Sequence, residues 1–250
     1  MRKKIAAGNW KMNCNASTAD KLAGDIVAAG SPEGVLTILC TPYIYLRDIL
    51  QKSEASTGIE VAAQNLHHKS SGAYTGEISA EMLASSGIKY VVIGHSERRE
   101  YFHETNEMLL EKVKLALASD ITPLFCCGES LEIRKSGNHL DFVLDQLRET
   151  ILTLSETDFS KIIIAYEPVW AIGTGETATP DQAQEMHAAI RQEITKVFGA
   201  KTADNTSILY GGSVKANNAK EIFSKPDVDG GLVGGASLNA AEFISIMNSF

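Results

Sequence analysis

Hydrophobic positions along the chain follow two rhythms in alternation. Short, dense runs of β-branched and aliphatic residues lie near 5–10, 35–41, 58–64, 88–94, 120–126, 160–167, 205–210 and 227–233. Several are apolar at nearly every position, as in Lys161-Ile162-Ile163-Ile164-Ala165-Tyr166. Strands apolar on both faces suit a buried parallel sheet. Between the runs, apolar residues recur at helical spacing. Leu109, Val113 and Leu117 form one stripe, Leu140, Val143, Leu144, Leu147 and Ile151 a second, and Met186, Ile190, Ile194 and Phe198 a third. Thr179-Pro180-Asp181-Gln182 reads as a helix start: Thr179 can cap, proline fits the first turn, and Gln182 can complete a capping box. Gly199 is a matching stop.

Counting yields eight strand–helix units in 250 residues, the number that closes an α/β barrel of this size. An open doubly wound sheet is the competing architecture. No linker or low-complexity tract interrupts the alternation, so residues 1–250 read as one barrel domain. In such a barrel, the loops after the carboxyl ends of the strands build the active site. Here those loops carry Asn9-Trp10-Lys11, the long stretch Asn65 to Glu77, Gly94-His95-Ser96-Glu97, Glu167-Pro168-Val169-Trp170, Gly211-Gly212-Ser213 and Gly234-Gly235-Ala236-Ser237. Titratable groups and glycine pairs thus gather at one end.

Each candidate has a plain structural alternative. Glu167 closes an apolar strand, where desolvation raises a carboxylate's proton affinity and suits a general base; a strand-end salt bridge is the alternative. His95 precedes a short polar helical turn, whose dipole disfavours the imidazolium and leaves a neutral hydrogen-bond donor. His67, His68, His103, His139 and His187 read instead as ordinary exposed histidines. Lys11, at the end of the first strand, could neutralise an oxyanion or a phosphate. The pairs Gly211-Gly212 and Gly234-Gly235 leave backbone N–H groups approachable ahead of expected helices, an arrangement that binds anions; turn glycines with positive φ are the alternative. Pro168 to Ala178 has the length and composition of a lid over Glu167. Gly173-x-Gly175-x-x-Ala178 also fits a loose dinucleotide fingerprint, but five residues separate it from its strand, so no dinucleotide site is expected.

Charge and cysteines narrow the class. A net charge of −8 argues against nucleic acid and anionic membranes as partners. No apolar run approaches the ~18 residues of a membrane span. Met1-Arg2-Lys3-Lys4 is basic like the start of a signal peptide, but the apolar stretch behind it is too short. Cys14, Cys40, Cys126 and Cys127 read as reduced thiols of a cytoplasmic protein. The triplets at Asn15 and Asn205 that match a glycosylation pattern read as chance. No histidine pair has metal-ligand spacing, so no metal is expected.

Taken in order, Gly8-Asn9-Trp10-Lys11-Met12-Asn13, Gly94-His95-Ser96-Glu97-Arg98-Arg99, Ala165 to Gly175, Tyr210-Gly211-Gly212-Ser213-Val214 and Leu232-Val233-Gly234-Gly235-Ala236-Ser237 resemble the triosephosphate isomerase family over nearly the whole chain. The resemblance implies a TIM (β/α)8 barrel. It implies cofactor-free interconversion of D-glyceraldehyde 3-phosphate and dihydroxyacetone phosphate in glycolysis and gluconeogenesis. On it, Glu167 is the base, His95 the neutral electrophile, and Lys11 stabilises the enediolate. Asn9 orients substrate, Glu97 is a carboxylate near Lys11, and Gly173, Ser213, Gly234 and Gly235 hold phosphate. The family is cytoplasmic and homodimeric. Gly72 to Glu77 resembles its interface loop, so Thr75 would support the neighbour's Asn9, Lys11 and His95. Three positions depart from the family pattern: Glu176 replaces a lysine at the lid hinge, Cys127 an apolar residue, and Cys14 the usual residue after Asn13. A Schiff-base aldolase, needing a lysine deep in the barrel, is one competing reading. A non-catalytic barrel is the other, and its sign would be loss of Lys11, His95 or Glu167.

Overall fold

Eight strands form at the dense apolar runs: β1 Lys4–Asn9, β2 Val35–Thr41, β3 Ile59–Ala63, β4 Tyr90–Ile93, β5 Thr122–Cys127, β6 Ile163–Tyr166, β7 Ile208–Tyr210 and β8 Gly230–Val233. They belong to a computed structural model that describes residues 2–172 and 177–250. Every neighbouring pair is parallel, and β8 returns to β1 with Ile5 opposite Gly230 and Gly8 opposite Val233. The sheet is therefore a closed (β/α)8 barrel, which leaves no unpaired edge.

Closure explains why the runs are apolar on both faces. Alternate residues point inward, and Ile5, Ala7, Ile38, Cys40, Ala62, Val92, Leu124, Cys126, Ile163, Ala165, Leu209 and Leu232 fill the lumen. Their neighbours, such as Leu39, Val61, Val91, Phe125, Ile164 and Ile208, face the surrounding helices. Gly230 marks the seam. Its φ is +138°, and a β-carbon there would collide with the carbonyl of Ile5, so β8 can approach β1 only with glycine.

The helical stripes form the outer layer. Leu109, Val113 and Leu117 lie on the buried face of Asn106–Ala118, and Met186, Ile190 and Ile194 on that of Pro180–Phe198. Thr179 and Gln182 form the expected reciprocal capping box, at 2.8 and 3.1 Å. Gly199 ends that helix at φ +87°. One expectation fails on this helix: His187 is not exposed but fully buried. It sits next to Met186 on the inward stripe, with Nδ1 donating to the carbonyl of Asp227 and its ring edge-on to Tyr166. An imidazole is small and apolar enough at one edge to pack once its N–H has a partner. His67, His68 and His139 are half-buried rather than exposed, and His103 is exposed as expected. Among the described residues, no helix is long and apolar enough to cross a membrane.

Candidate active site

The connections after β1, β4, β6, β7 and β8 meet over the carboxyl end of the barrel. They enclose a cavity of about 410 Å³ whose lining includes Asn9, Lys11, His95, Glu167, Ser213, Gly234 and Gly235. The expected site residues within the described chain therefore converge, although up to 226 positions separate them in sequence (from Asn9 to Gly235). Gly173 and Glu176 lie outside the described residues.

Glu167 follows β6, and its side chain is almost wholly buried. Its Oε2 accepts the backbone N–H of Ser96 at 2.9 Å, and its Oε1 lies 2.9 Å from His95 Nε2. Gly211 makes this position possible, since a β-carbon there would come within 2.8 Å of Glu167 Cγ. Burial raises the proton affinity of Glu167, as expected for a desolvated carboxylate. The contacts with His95, the Ser96 N–H and Lys11 outweigh it and hold the group below its ordinary value. The sequence shows the greasy strand but not the three neighbours that reverse the sign.

His95 caps the short helix Ser96–Tyr101, and its Nδ1 accepts the N–H of Glu97 at 3.2 Å. That bond leaves Nδ1 without a proton and puts the single proton of the neutral ring on Nε2, facing Glu167 and the cavity. Burial disfavours the imidazolium, but the Glu167 carboxylate favours it more strongly, so His95 lies above its ordinary value in this arrangement. The cause is removable. Once Glu167 takes up a proton, its charge no longer supports a cation on His95.

Lys11 is held in the left-handed region at φ +52°, which costs a side-chain-bearing residue about 1 kcal/mol or more. Three bonds hold it there. Asn9 Oδ1 accepts its N–H at 3.1 Å, Gln64 Nε2 donates to its carbonyl at 3.0 Å, and its Nζ reaches Glu97 Oε1 at 2.6 Å. Gln64 also donates to the carbonyl of Cys40, tying the turn after β1 to β2.

The anion cradle differs in detail from expectation. Gly211, Gly212, Gly234 and Gly235 are not positive-φ residues, so turn geometry does not account for them. Gly235 opens a one-turn 3-10 helix, Gly235–Leu238, but Ser213 is not a helix start: the next helix, Ala219–Phe223, begins six residues later. The backbone N–H groups of Ser213, Gly234 and Gly235 make no hydrogen bond to another described residue. Donors clustered without partners at a cavity wall suit an anion. Lys215 and Glu242 also line the mouth, and neither was singled out from sequence. Lys215 had a usable signal, since it stands two residues beyond Ser213 on an already suspect loop.

The cavity also decides between the competing chemistries. The one buried lysine among the described residues, Lys112, lies on the outer helix Asn106–Ala118 paired to Glu104, and Lys11 lies beyond β1 with its amine paired to Glu97. Among the described residues, an aldolase Schiff base has no buried lysine inside the barrel to form on.

A sequence model of the family "triosephosphate isomerase" matches residues 4–250. The chain belongs to the triosephosphate isomerase family. Curated members named triosephosphate isomerase are 55% identical in Porphyromonas gingivalis over 252 residues, 52% in Cytophaga hutchinsonii over 253 and 52% in Flavobacterium johnsoniae over 250, each alignment covering all of both chains. Membership at this identity and coverage makes the chain an isomerase. Within this triosephosphate isomerase fold, the neighbours that sequence reading missed are the supports of the reactive groups: Gln64 behind Lys11, and Glu129 behind β6. Glu129 is fully buried and accepts from Tyr166 Oη at 3.0 Å and Trp170 Nε1 at 2.9 Å. Nothing in a single sequence separates such a carboxylate from the other acidic residues.

Proposed function

We propose that the protein interconverts D-glyceraldehyde 3-phosphate and dihydroxyacetone phosphate through an enediolate, as a step of glycolysis and gluconeogenesis. The observation that carries this reading is the meeting of Glu167, His95 and Lys11 in one cavity, beside N–H donors that have no partner among the described residues. Glu167 removes a proton from the carbon beside the carbonyl, and the electron pair moves to the carbonyl oxygen. His95 donates its Nε2 proton toward that oxygen and accepts one from the neighbouring hydroxyl, so the charge passes between the two oxygens. Lys11 offsets the negative charge of the enediolate, and Asn9 orients the substrate. Glu167 then returns its proton to the adjacent carbon. No atom is gained or lost, and no cofactor is required. The phosphate is held by the N–H groups of Ser213, Gly234 and Gly235, and by Gly173 on the family pattern.

Two features of the geometry support the roles. Oε2 of Glu167 accepts the Ser96 N–H, whereas Oε1, beside His95, has no hydrogen-bond partner and is the oxygen left to take a proton from substrate. The Nε2 proton of His95 points into the cavity because Nδ1 is committed to Glu97. A coupled isomerase assay tests the reading, and absence of turnover in folded protein would end it.

We further propose a cytoplasmic homodimer in which the loop around Thr75 enters the partner's site. Support comes from exposed apolar side chains concentrated in the connections after β1 to β4, with Met12 97%, Ile44 78%, Tyr101 66% and Phe102 61% exposed. Clustered apolar exposure of this kind marks an interaction surface. Sedimentation of the purified chain tests it; a monomer at micromolar concentration contradicts the proposal.

A further inference from the structure

Arg99 stands outside the reaction cavity yet touches both strands that frame its chemistry. Its Nε donates to the carbonyl of Gly94 at 2.9 Å, and its Nη2 to the carbonyl of Cys126 at 2.9 Å. Its Nη1 donates to Asn106 Oδ1 at 2.8 Å, and Asn106 is itself anchored to Glu149 at 2.7 Å. Gly94 is the residue before His95. It adopts φ +77°, and a β-carbon there would lie 3.2 Å from Arg99 Nη2. Cys126 precedes Cys127, whose carbonyl accepts the N–H of Glu167 at 2.7 Å. One guanidinium therefore clamps the ends of β4 and β5, one peptide from His95 and one strand from Glu167. Only the rigid fork of arginine can reach three acceptors in fixed directions; an ammonium at that distance cannot.

The charge of Arg99 is as informative as its geometry. Among the described residues, no carboxylate lies within 4.0 Å of it, unlike Arg98, which is paired to Glu104. Its partners are two carbonyls and an amide, which hold the cation without neutralising it. Its field therefore acts on Glu167, one of the charged groups it faces together with Glu104. Glu167 in turn faces His95 and the Ser96 N–H from β4, Lys11 from β1, Gly211 from β7, and the thiols of Cys126 and Cys127 from β5. Both thiols are held neutral by burial, so β5 sets no negative charge against the carboxylate.

We propose that Arg99 is a positioning residue of the isomerisation: it fixes the carbonyls of Gly94 and Cys126 so that His95 and Glu167 meet, and it places a cation without a contacting carboxylate behind that pair. The proposal rests on the reading of Glu167 as base and His95 as electrophile. A second hollow of about 310 Å³, lined by Arg99, Cys127, Phe142, Gln146, Val169 and Glu167, leads from the outside to this group. A small cation can enter by it.

The test uses Arg99→Ala and Arg99→Lys in the full-length protein, with kcat, KM, pH profiles and urea unfolding midpoints for each. For Arg99→Ala, kcat is expected to fall about 10- to 100-fold, as misplacement from outside the chemistry does, while KM stays within about threefold. The acid limb of kcat/KM, which reports the free-enzyme carboxylate, rises by about half a pH unit or more. Millimolar guanidinium restores part of kcat, and urea at the same concentration does not. Arg99→Lys keeps the acid limb but not kcat, because it keeps the charge and loses the fork. A folded Arg99→Ala with parental kcat overturns the proposal. So does a lowered kcat with an unmoved acid limb and no rescue, which marks Arg99 as structural only. If Arg99→Ala does not fold, parental kcat in Arg99→Lys overturns it. Loss of activity in Glu167→Ala alongside these results confines the failure to Arg99, whereas a fully active Glu167→Ala removes the reading beneath it.

Discussion

The two ends of the barrel handle charge in opposite ways. At the amino end, the buried guanidinium of Arg191 is fully engaged. It reaches Asp227 at 2.6 Å and Asp229 at 2.9 Å, and the carbonyls of Ala203, Thr206 and Asp227 between 2.6 and 3.1 Å. Arg2 adds a second cation to Asp229 at 2.7 Å. At the carboxyl end, Lys11 is strained, and among the described residues three N–H groups lack partners and Arg99 has no counter-ion in contact. A network that is complete without a ligand serves the fold. A network with open valences is stable enough only because the rest of the barrel carries it, and a bound anion would complete it.

The sharpest way to break this comparison is to exchange the consequences. Glu167→Ala is expected to lower kcat by about 10³- to 10⁴-fold, since general-base catalysis and its alignment are both lost. The urea midpoint should move little, because the substitution removes a buried charge whose partners can turn to solvent in the cavity. An unfolded variant would place Glu167 among the structural groups, and an active one would remove it from the chemistry. Arg191→Met should do the reverse. It leaves two aspartates without their central partner and costs about 3 kcal/mol of stability, the lower end for breaking a buried pair because Arg2 remains. Its kcat at a temperature where it is folded should match the parent. A large loss of kcat in that folded variant would show that the two ends are coupled.

The same contrast explains what could be read from sequence. The barrel was legible because closure forces both faces of every strand to be apolar, and eight such runs are hard to arrange otherwise. The convergence of Lys11, His95 and Glu167 was legible because each lies within two residues of a strand's carboxyl end, where the loops of a barrel meet. Gln64, Arg99 and Glu129 were not. Each acts through a backbone atom or a ring belonging to another strand, and such pairings exist only once the barrel has closed. The anion cradle was half legible: the glycine pairs marked its place, but the helix expected at Ser213 does not start until Ala219. His187 was misplaced for a related reason. Its stripe was clear, but its partner, the carbonyl of Asp227, is 40 residues away.

That histidine supplies a test of the satisfied, fold-bearing layer under acid. Burial pushes the His187 pKa down to about 4 from an ordinary 6.5. Between those values the unfolded chain binds a proton that the folded chain does not, so unfolding becomes easier as pH falls. The stabilisation from keeping the ring neutral is complete above pH 6.5, declines from there to about pH 4, and levels off below. The full span is about 3 kcal/mol. His187→Gln keeps a donor for Asp227 and removes the titration. Urea midpoints between pH 7 and pH 4 should therefore slope less in the variant than in the parent. Parallel slopes would mean that other groups, the Glu167–His95 pair first among them, set the acid response.

The smallest expected effect lies at the mouth of the open end. The protein carries a net charge of −8, and its substrate is an anion, so encounter is opposed at long range. Lys11 offers little remedy, because Glu97 neutralises it at 2.6 Å. Lys215 is exposed on the cavity rim beside Ser213 and has no carboxylate within 4.0 Å among the described residues, while Glu242 lines the same cavity with the opposite sign. If the open valences of this end act on substrate before contact, removing that cation should slow capture and leave chemistry alone. Lys215→Gln is expected to lower kcat/KM about two- to fivefold at low ionic strength with kcat unchanged, and Glu242→Gln to raise it by a smaller factor. Both differences should shrink as salt rises and the Debye length falls to a few ångströms. A salt-independent loss would instead make Lys215 a direct ligand of the phosphate, extending the cradle of Ser213, Gly234 and Gly235 by one side chain. Equal loss in kcat would put it in the transition state, and the division between a rim that attracts and a floor that reacts would no longer hold.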